Sequence, residues 1–129
     1  MSEVITKDIE AFFVRYPTAK DATIAMIELL IGKFETEGTI AGYTFSSIVS
    51  EMDVLSEPVR AACTELYMKM QDIYSNKLEL EGFSKDAAHS LALMMAASIE
   101  GGIMLCLTQK SSHPLKVISY ELSKILVVK

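Results

Sequence analysis

The sequence contains few of the residues that interrupt helices. It has three prolines and six glycines among 129 residues, together with eight methionines. Proline and glycine are the strongest local breakers of regular structure, and methionine fills irregular spaces between apolar side chains. This composition predicts an all-α chain with an adaptable interior. The length fits a single domain over residues 1–129.

Positive charge is also scarce. The chain has 12 Lys and Arg residues against 17 Asp and Glu residues, which gives a net charge of −5. Its positive residues are scattered singly, as at Lys110, Lys116 and Lys124. Proteins that bind nucleic acid usually present a basic face. We therefore expect no nucleic acid partner for this chain alone.

Cysteine is limited to Cys63 and Cys106, which lie in separate predicted helices without the spacing of metal ligands. A pair of this kind is typical of a reduced intracellular protein. The first ten residues, MSEVITKDIE, lack the positive start and the apolar core of a signal peptide. Together these features predict a cytoplasmic protein.

Motifs that mark catalytic sites are missing. The sequence has no nucleophile elbow, no phosphate-binding loop and no HExxH motif. His89 follows Asp86 by about one helical turn, but there is no third ligand, so we interpret the two as a solvated pair. His113 precedes Pro114 and is predicted to cap a helix. We expect no catalytic residue, no metal and no cofactor, and we predict that the chain is not an enzyme.

Apolar residues recur at helical spacing along the whole chain and predict six helices, one of them short. Thr18 is the predicted N-cap of the second helix, and Gly38 and Gly82 are predicted to follow helix ends. The helices are expected at about residues 2–16, 18–37, 44–52, 56–81, 84–109 and 115–128.

The segment Leu91–Leu107, LALMMAASIEGGIMLCL, is apolar almost all the way round. Such a helix must be buried on nearly every side, either in a membrane or against a second copy of the chain. Spanning a bilayer needs about 20 apolar residues, and a carboxylate such as Glu100 inside the span is costly. We therefore favour a buried helix of a soluble assembly and expect no membrane.

Glu100, Gly101 and Gly102 interrupt this apolar run. Two adjacent glycines inside a helix cost about 1 kcal/mol each relative to alanine, but they allow another helix to approach closely. One interpretation is a tight helix crossing in which Glu100 bonds a partner group. The other is a carboxylate in a ligand cavity. We favour the first, because an unpaired buried carboxylate is expensive.

Several aromatic and methionine residues allow a similar choice. Each one is individually typical of a plain core. Together they resemble the lining of an apolar pocket between helices, a common place for small ligands. These residues are Phe12, Phe13, Phe45, Met52, Tyr67, Met68, Met94 and Met95.

From about Gly42 to the end, the chain resembles a known family in the order of its motifs. These are SIVSEM, a helix start at SEPVR, a long helix ending in EGF, then SIEGGIMLCLTQK, and a last helix begun by Pro-Leu. In this order they are similar to the C-terminal domain of TetR-family transcriptional regulators, in the branch of YxaF and LmrA. The similarity over Ser2–Glu37 is looser.

The resemblance implies an all-helical bundle whose last two long helices pair with those of a second subunit. It also implies a pocket for a small apolar effector that loosens a repressor from DNA. On this basis Leu91–Gln109 and Leu115–Val128 are the expected dimer helices. The expected interface residues are Met95, Ile99, Glu100, Gly101, Gly102, Ile103, Leu115, Ile118, Leu122 and Ile125. The expected pocket residues are Phe13, Phe45, Met52, Tyr67 and Met94.

The chain departs from the family at its start. The family carries an N-terminal helix-turn-helix domain, and this chain begins with a segment, Ser2–Tyr16, that resembles the helix linking the two domains. We therefore expect a chain without a DNA-binding domain.

Three functions remain open at this point. The leading hypothesis is the effector-binding and dimerisation module of a TetR-like repressor. The second is a stand-alone protein that forms heterodimers with a full-length regulator and inhibits it. The third is a helical-bundle enzyme acting on an apolar substrate, for which the sequence offers only Glu100 and scattered tyrosines.

Overall fold

A computed structural model of the protein describes residues 2–38, 40 and 57–128. Within them the chain forms five α-helices and no strand, which confirms the all-α prediction. The short helix predicted over residues 44–52 lies outside the described residues. The five helices are α1 (Ser2–Arg15), α2 (Ala19–Glu37), α3 (Glu57–Leu80), α4 (Lys85–Gln109) and α5 (His113–Ile125).

The ends of α2 and the start of α4 follow local sequence signals. Thr18 Oγ1 accepts a hydrogen bond from the backbone N–H of Asp21 at 3.0 Å, and Ser84 Oγ accepts one from Ala87 at 3.1 Å. These side chains satisfy backbone donors that no helical carbonyl can reach. Gly38 ends α2 with a φ of 73°, a left-handed conformation that suits glycine. The cap and the end predicted for α2 are confirmed.

The last helix differs from its prediction at both ends. It begins at His113, two residues early, with Pro114 in its first turn. Proline is tolerated there because its missing N–H would have no helical partner. The helix ends at Ile125, three residues before the predicted Val128. Ser112 occupies the N-cap position, so His113 is the first helical residue and not the cap that we predicted.

Helix α4 lies between α3 and α5 and packs against both. Helix α1 packs on α3, where the rings of Phe13 and Tyr74 lie 5.1 Å apart, and α2 packs on α5. Burial of each large apolar side chain contributes about 1.5–3 kcal/mol, so the shared core is the main source of stability. Its most buried members include Ile27, Leu30, Leu78, Met95, Ile103, Leu115 and Leu122.

Polar contacts fasten both ends of the bundle. At one end, Lys77 Nζ donates to the carbonyl of Tyr16 at 3.0 Å, and the backbone N–H of Ala19 donates to Glu81 Oε2 at 2.7 Å. At the other end, Glu35 in the last turn of α2 contacts the start of α5. These contacts join residues that are more than 60 positions apart in sequence, so they fix how the helices are arranged.

One buried hydroxyl lacks a partner. Thr23 lies on the inner side of α2 and is fully buried. Among the residues that the structure describes, its Oγ1 atom makes no hydrogen bond. A buried polar group of this kind costs stability because it loses its bonds to water without replacement.

Candidate functional site

The surface of α4 divides into an inner face and an outer face. The inner face is buried and consists of Ala92, Met95, Ala96, Ile99, Gly102, Ile103 and Cys106. The outer face consists of Leu93, Met94, Ala97, Gly101, Met104 and Leu105, which span an arc of about 120° at the spacing of an α-helix. Leu93 is 57% exposed and Met94 is 50% exposed. A contiguous apolar surface on a small domain indicates a place where another molecule binds.

The two adjacent glycines point in different directions. A Cβ atom added to Gly102 would lie 2.6 Å from Ile118 Cδ1 and 2.7 Å from Leu115 Cδ2. Gly102 therefore permits a close contact between α4 and α5 within one chain. A Cβ atom added to Gly101 would meet nothing within 4 Å. Of the two glycines, only Gly101 lies on the outer face.

Most residues expected at a subunit interface belong to the chain's own core. Glu100, Gly101 and Ile118 are partly exposed, and Ile125 is 38% exposed. Buried side chains offer no surface to a second chain, so an interface on this side of the bundle would use the outer face instead. The buried ones are Met95, Ile99, Gly102, Ile103, Leu115 and Leu122.

Sequence reasoning missed four members of the outer face. The missing residues are Leu93, Ala97, Met104 and Leu105. The apolar period of α4 could not separate its two faces, because both are apolar. One signal was present in the sequence. A surface helix normally carries polar residues on the face away from the core, and α4 has few of them there.

Helix α5 has a mixed exposed surface of its own. Val117 is 44% exposed and Tyr120 is 63% exposed. Lys124 Nζ lies 4.3 Å from the centroid of the Tyr120 ring and 3.3 Å from Glu121 Oε1. The exposed part of α5 therefore combines apolar side chains with a small charged group.

Glu100 interacts with Tyr67 across the contact between α3 and α4. The Tyr67 hydroxyl donates a hydrogen bond to the Glu100 carboxylate. Burial raises the pKa of Tyr67 strongly, and the negative charge of Glu100 and this hydrogen bond raise it further. Both side chains are partly buried. This arrangement corresponds to the interpretation in which Glu100 bonds a partner group across a helix crossing. The partner group belongs to the same chain.

The residues expected to line a pocket are not gathered at one place. Phe13 is buried against Tyr74 of α3, and Tyr67 lies two turns earlier on the same helix. Met94 lies on the outer face of α4, away from the core. Phe45 and Met52 lie outside the described residues.

A separate cleft of about 290 Å³ lies at the end of the bundle where α1 turns into α2. None of the expected pocket residues in the described ranges contributes to it. Its lining residues are Thr18, Lys20, Glu81, Leu126, Val127 and Val128.

Residues 19–121 match a known family, described as the C-terminal domain of transcriptional regulators like LmrA and YxaF. The chain belongs to this family. The matched range runs from the start of α2 into the last turns of α5 and so includes both faces of α4. It confirms the resemblance to the TetR family that the sequence motifs indicated.

Relatives of known type agree with this membership. The chain is 32% identical over 103 residues to the HTH-type transcriptional regulator YxaF of Bacillus subtilis, an alignment that covers 77% of this chain and 54% of YxaF. It is 37% identical over 95 residues to the HTH-type regulator LmrA of the same organism, which covers 74% of this chain and 50% of LmrA. The chain thus spans about half the length of these curated relatives.

A more distant relative is an HTH-type transcriptional regulator of Mycobacterium tuberculosis. It is 26% identical over 70 residues, which cover 54% of this chain and 36% of the relative. The family and these relatives are transcriptional regulators and not enzymes, which confirms the corresponding prediction.

Helix α4 is also long and apolar enough, by length and composition alone, to cross a membrane. The core helix of a soluble protein passes the same test, so this property is weak support for a membrane location. The buried inner face of α4 and the membership of a family of transcriptional regulators favour a helix packed against protein.

Proposed function

We propose that this chain is the effector-binding and dimerisation domain of a TetR-like transcriptional repressor, acting in the cytoplasm as one domain over residues 1–129. Membership of the family supports the regulatory role. The observation that carries the dimerisation part is the apolar outer face of α4, which a single chain leaves exposed. The net charge of −5 supports a partner other than nucleic acid for this chain alone.

The proposed dimer is symmetric. A two-fold interface brings the same surface of both chains together, so the outer face of α4 and the exposed side of α5 would form a four-helix contact with their copies. Gly101 carries no side chain on this face and meets no neighbour in its own chain. It would let the two α4 helices approach closely.

The proposed effector is a small and mainly apolar molecule. Phe13 and Tyr67 are its expected contacts among the described residues, and Phe45 and Met52 remain part of the proposal. Met94 is better assigned to the dimer surface because it lies on the outer face. Effector binding would favour one arrangement of the helices over another, and a regulator of this kind needs such a shift in population.

Sedimentation velocity at increasing protein concentration tests the dimer. We expect a reversible dimer in the micromolar range and a monomer only on dilution. A chain that stays monomeric at high concentration would refute the dimerisation part of the proposal.

A thermal-shift screen with small apolar compounds tests the effector part. A compound present at a concentration of one hundred times its Kd should stabilise the chain by about 2.7 kcal/mol. The effect should be that of a saturable binding site.

Mobility-shift experiments with this chain alone should show no specific binding to operator DNA. A specific shift would contradict the assignment of DNA binding to another part of the regulator.

A further inference from the structure

The cleft at the corner between α1 and α2 has walls that the fold holds in place. On one side, the backbone N–H of Ala19 donates to Glu81 Oε2 at 2.7 Å, which ties the start of α2 to the residue that follows α3. On the other side, Leu126 is buried and anchors the chain after α5. Because both sides are attached to the bundle, the cleft is largely formed before any ligand arrives, as small-molecule sites usually are.

The wall formed by the residues after α5 is apolar. Leu126, Val127 and Val128 line the cleft, and Val127 and Val128 are 41% and 52% exposed. Val128 lies beside the turn that follows α3, where a Cβ atom added to Gly82 would be 4.0 Å from Val128 Cγ1. A ligand in the cleft would cover these side chains and remove apolar surface from water, which favours binding.

The charge that the lining leaves unpaired is positive. Lys20 lines the cleft and is partly buried, and a lysine of this kind packs its aliphatic part against neighbouring atoms while its charge stays in water. Among the residues that the structure describes, its ammonium group makes no ion pair and no hydrogen bond. Glu81 and Thr18, the other polar residues of the lining, already accept hydrogen bonds from the backbone of α2.

We propose that this cleft binds a small apolar carboxylate, such as an aromatic acid. The carboxylate pairs with the Lys20 ammonium group, and the apolar part of the ligand lies against the wall after α5. A cavity of about 150 Å³ holds benzene, so about 290 Å³ has room for a ring and a carboxylate. The site is separate from the proposed effector pocket, because neither Phe13 nor Tyr67 lines it, and it does not depend on the proposed function.

Titration of the full chain with three probes of similar shape tests the charge of the ligand. Benzoate, benzamide and benzylamine share a ring and differ in charge. We expect benzoate to bind with a Kd of about 1 mM, because a ligand of so few atoms has limited affinity. Benzamide should bind about fivefold more weakly, since a partly exposed ion pair contributes no more than this. Amide NMR shifts should change saturably at residues 18–20, 81–82 and 126–128.

Substitutions test the two walls separately. Lys20→Met removes the charge but keeps a long side chain, and it should weaken benzoate about fivefold while leaving benzamide unchanged. Lys33→Met is the matched control, because it removes an exposed lysine from the same helix outside the cleft. Val127→Ser removes part of the apolar wall and should weaken benzoate and benzamide alike. Thermal unfolding of each variant checks that the fold is kept.

The outcomes decide each part of the inference. Tighter binding of benzylamine than of benzoate would overturn the acidic ligand. Equal shifts with sodium formate or sodium chloride would show a general effect of anions on Lys20 and overturn the apolar wall. Benzoate binding that Lys20→Met does not weaken would place the ligand elsewhere. Saturable shifts at the corner that both Lys20→Met and Val127→Ser weaken would support the site, whether or not the chain dimerises.

Discussion

The inner and outer faces of α4 are equally apolar in composition, yet the structure gives them different surroundings. The inner face fills the core between α3 and α5, and its Gly102 lets α5 approach closely. The outer face exposes long side chains such as Leu93 and Met94 around its glycine, Gly101. An apolar composition predicts that a helix is buried, but only its neighbouring helices show which of its faces the chain itself covers.

The largest effect should come from placing a charge on the outer face. In a symmetric dimer, Leu105→Glu introduces two carboxylates into the interface. We expect the dimer Kd to rise about 100-fold, which corresponds to about 2.7 kcal/mol. Sedimentation equilibrium measures this change. Val14→Glu on α1, where the side chain is 83% exposed, is the control and should leave the Kd unchanged. A Kd that L105E does not alter would remove the outer face from the interface.

A substitution on the inner face should change the folding stability of the chain. Gly102→Leu forces a side chain into the space of Ile118 and Leu115. Overpacking of this kind typically costs about 1–3 kcal/mol, and we expect about 2 kcal/mol of lost stability in urea unfolding. A variant as stable as the wild type would show that α4 and α5 separate more easily than their contact indicates.

The flank where the outer face meets α3 depends on the bond between Tyr67 and Glu100. Tyr67→Phe keeps the ring but removes the hydroxyl that Glu100 accepts from. A hydrogen bond to a charged group contributes about 1.5–3 kcal/mol, and we expect the lower value because both side chains are only partly buried. Urea unfolding at neutral pH measures it, with Tyr120→Phe on the exposed side of α5 as the control.

The glycine of the outer face should behave in the opposite way to Gly102. Gly101→Leu meets no neighbour within its own chain, so folding stability should be kept or slightly increased by the better helix propensity of leucine. The dimer Kd should rise about tenfold, or about 1.4 kcal/mol, because the two α4 helices could no longer approach closely. A tight dimer that survives G101L would place this glycine away from the interface.

The smallest effect is expected on the buried side of α2, where a substitution should raise folding stability. Thr23→Val replaces an unpartnered hydroxyl with a methyl group of similar shape. Removal of a buried polar group without a partner should increase stability by about 1 kcal/mol. Thermal unfolding checks the sign. A loss of stability would show that the Thr23 hydroxyl is hydrogen-bonded in solution.

Local signals in the sequence predicted the fold well. Thr18, Ser84 and Gly38 act on backbone groups within a few residues, so their effects can be read from the sequence alone. The start of α5 was predicted less well because Ser112 bonds with Glu35, 77 residues away, rather than with its own helix. A tertiary contact of this kind leaves no local pattern.

The candidate site was only partly predictable. The sequence identified α4 and its glycines as the important segment, and the family match agrees with the expected type of domain. The resemblance placed Ile99 and Ile103 at the interface, whereas the structure buries them in the chain's own core. Periodicity could not correct this, because it does not distinguish the two apolar faces of α4. The hydrogen-bond partner of Glu100 could not be predicted from the sequence either, because Tyr67 lies on a different helix and no spacing rule connects the two residues.

The corner between α1 and α2 has a mechanical consequence. Lys77 holds the carbonyl of Tyr16, and Glu81 holds the backbone N–H of Ala19. Lys77 lies in the last turn of α3 and Glu81 directly follows the end of that helix, so the corner is tied to the end of α3 and cannot move independently of it. A twist applied to α1 would pass along α3 to Tyr67 and from there to Glu100, at the edge of the surface proposed for the second chain.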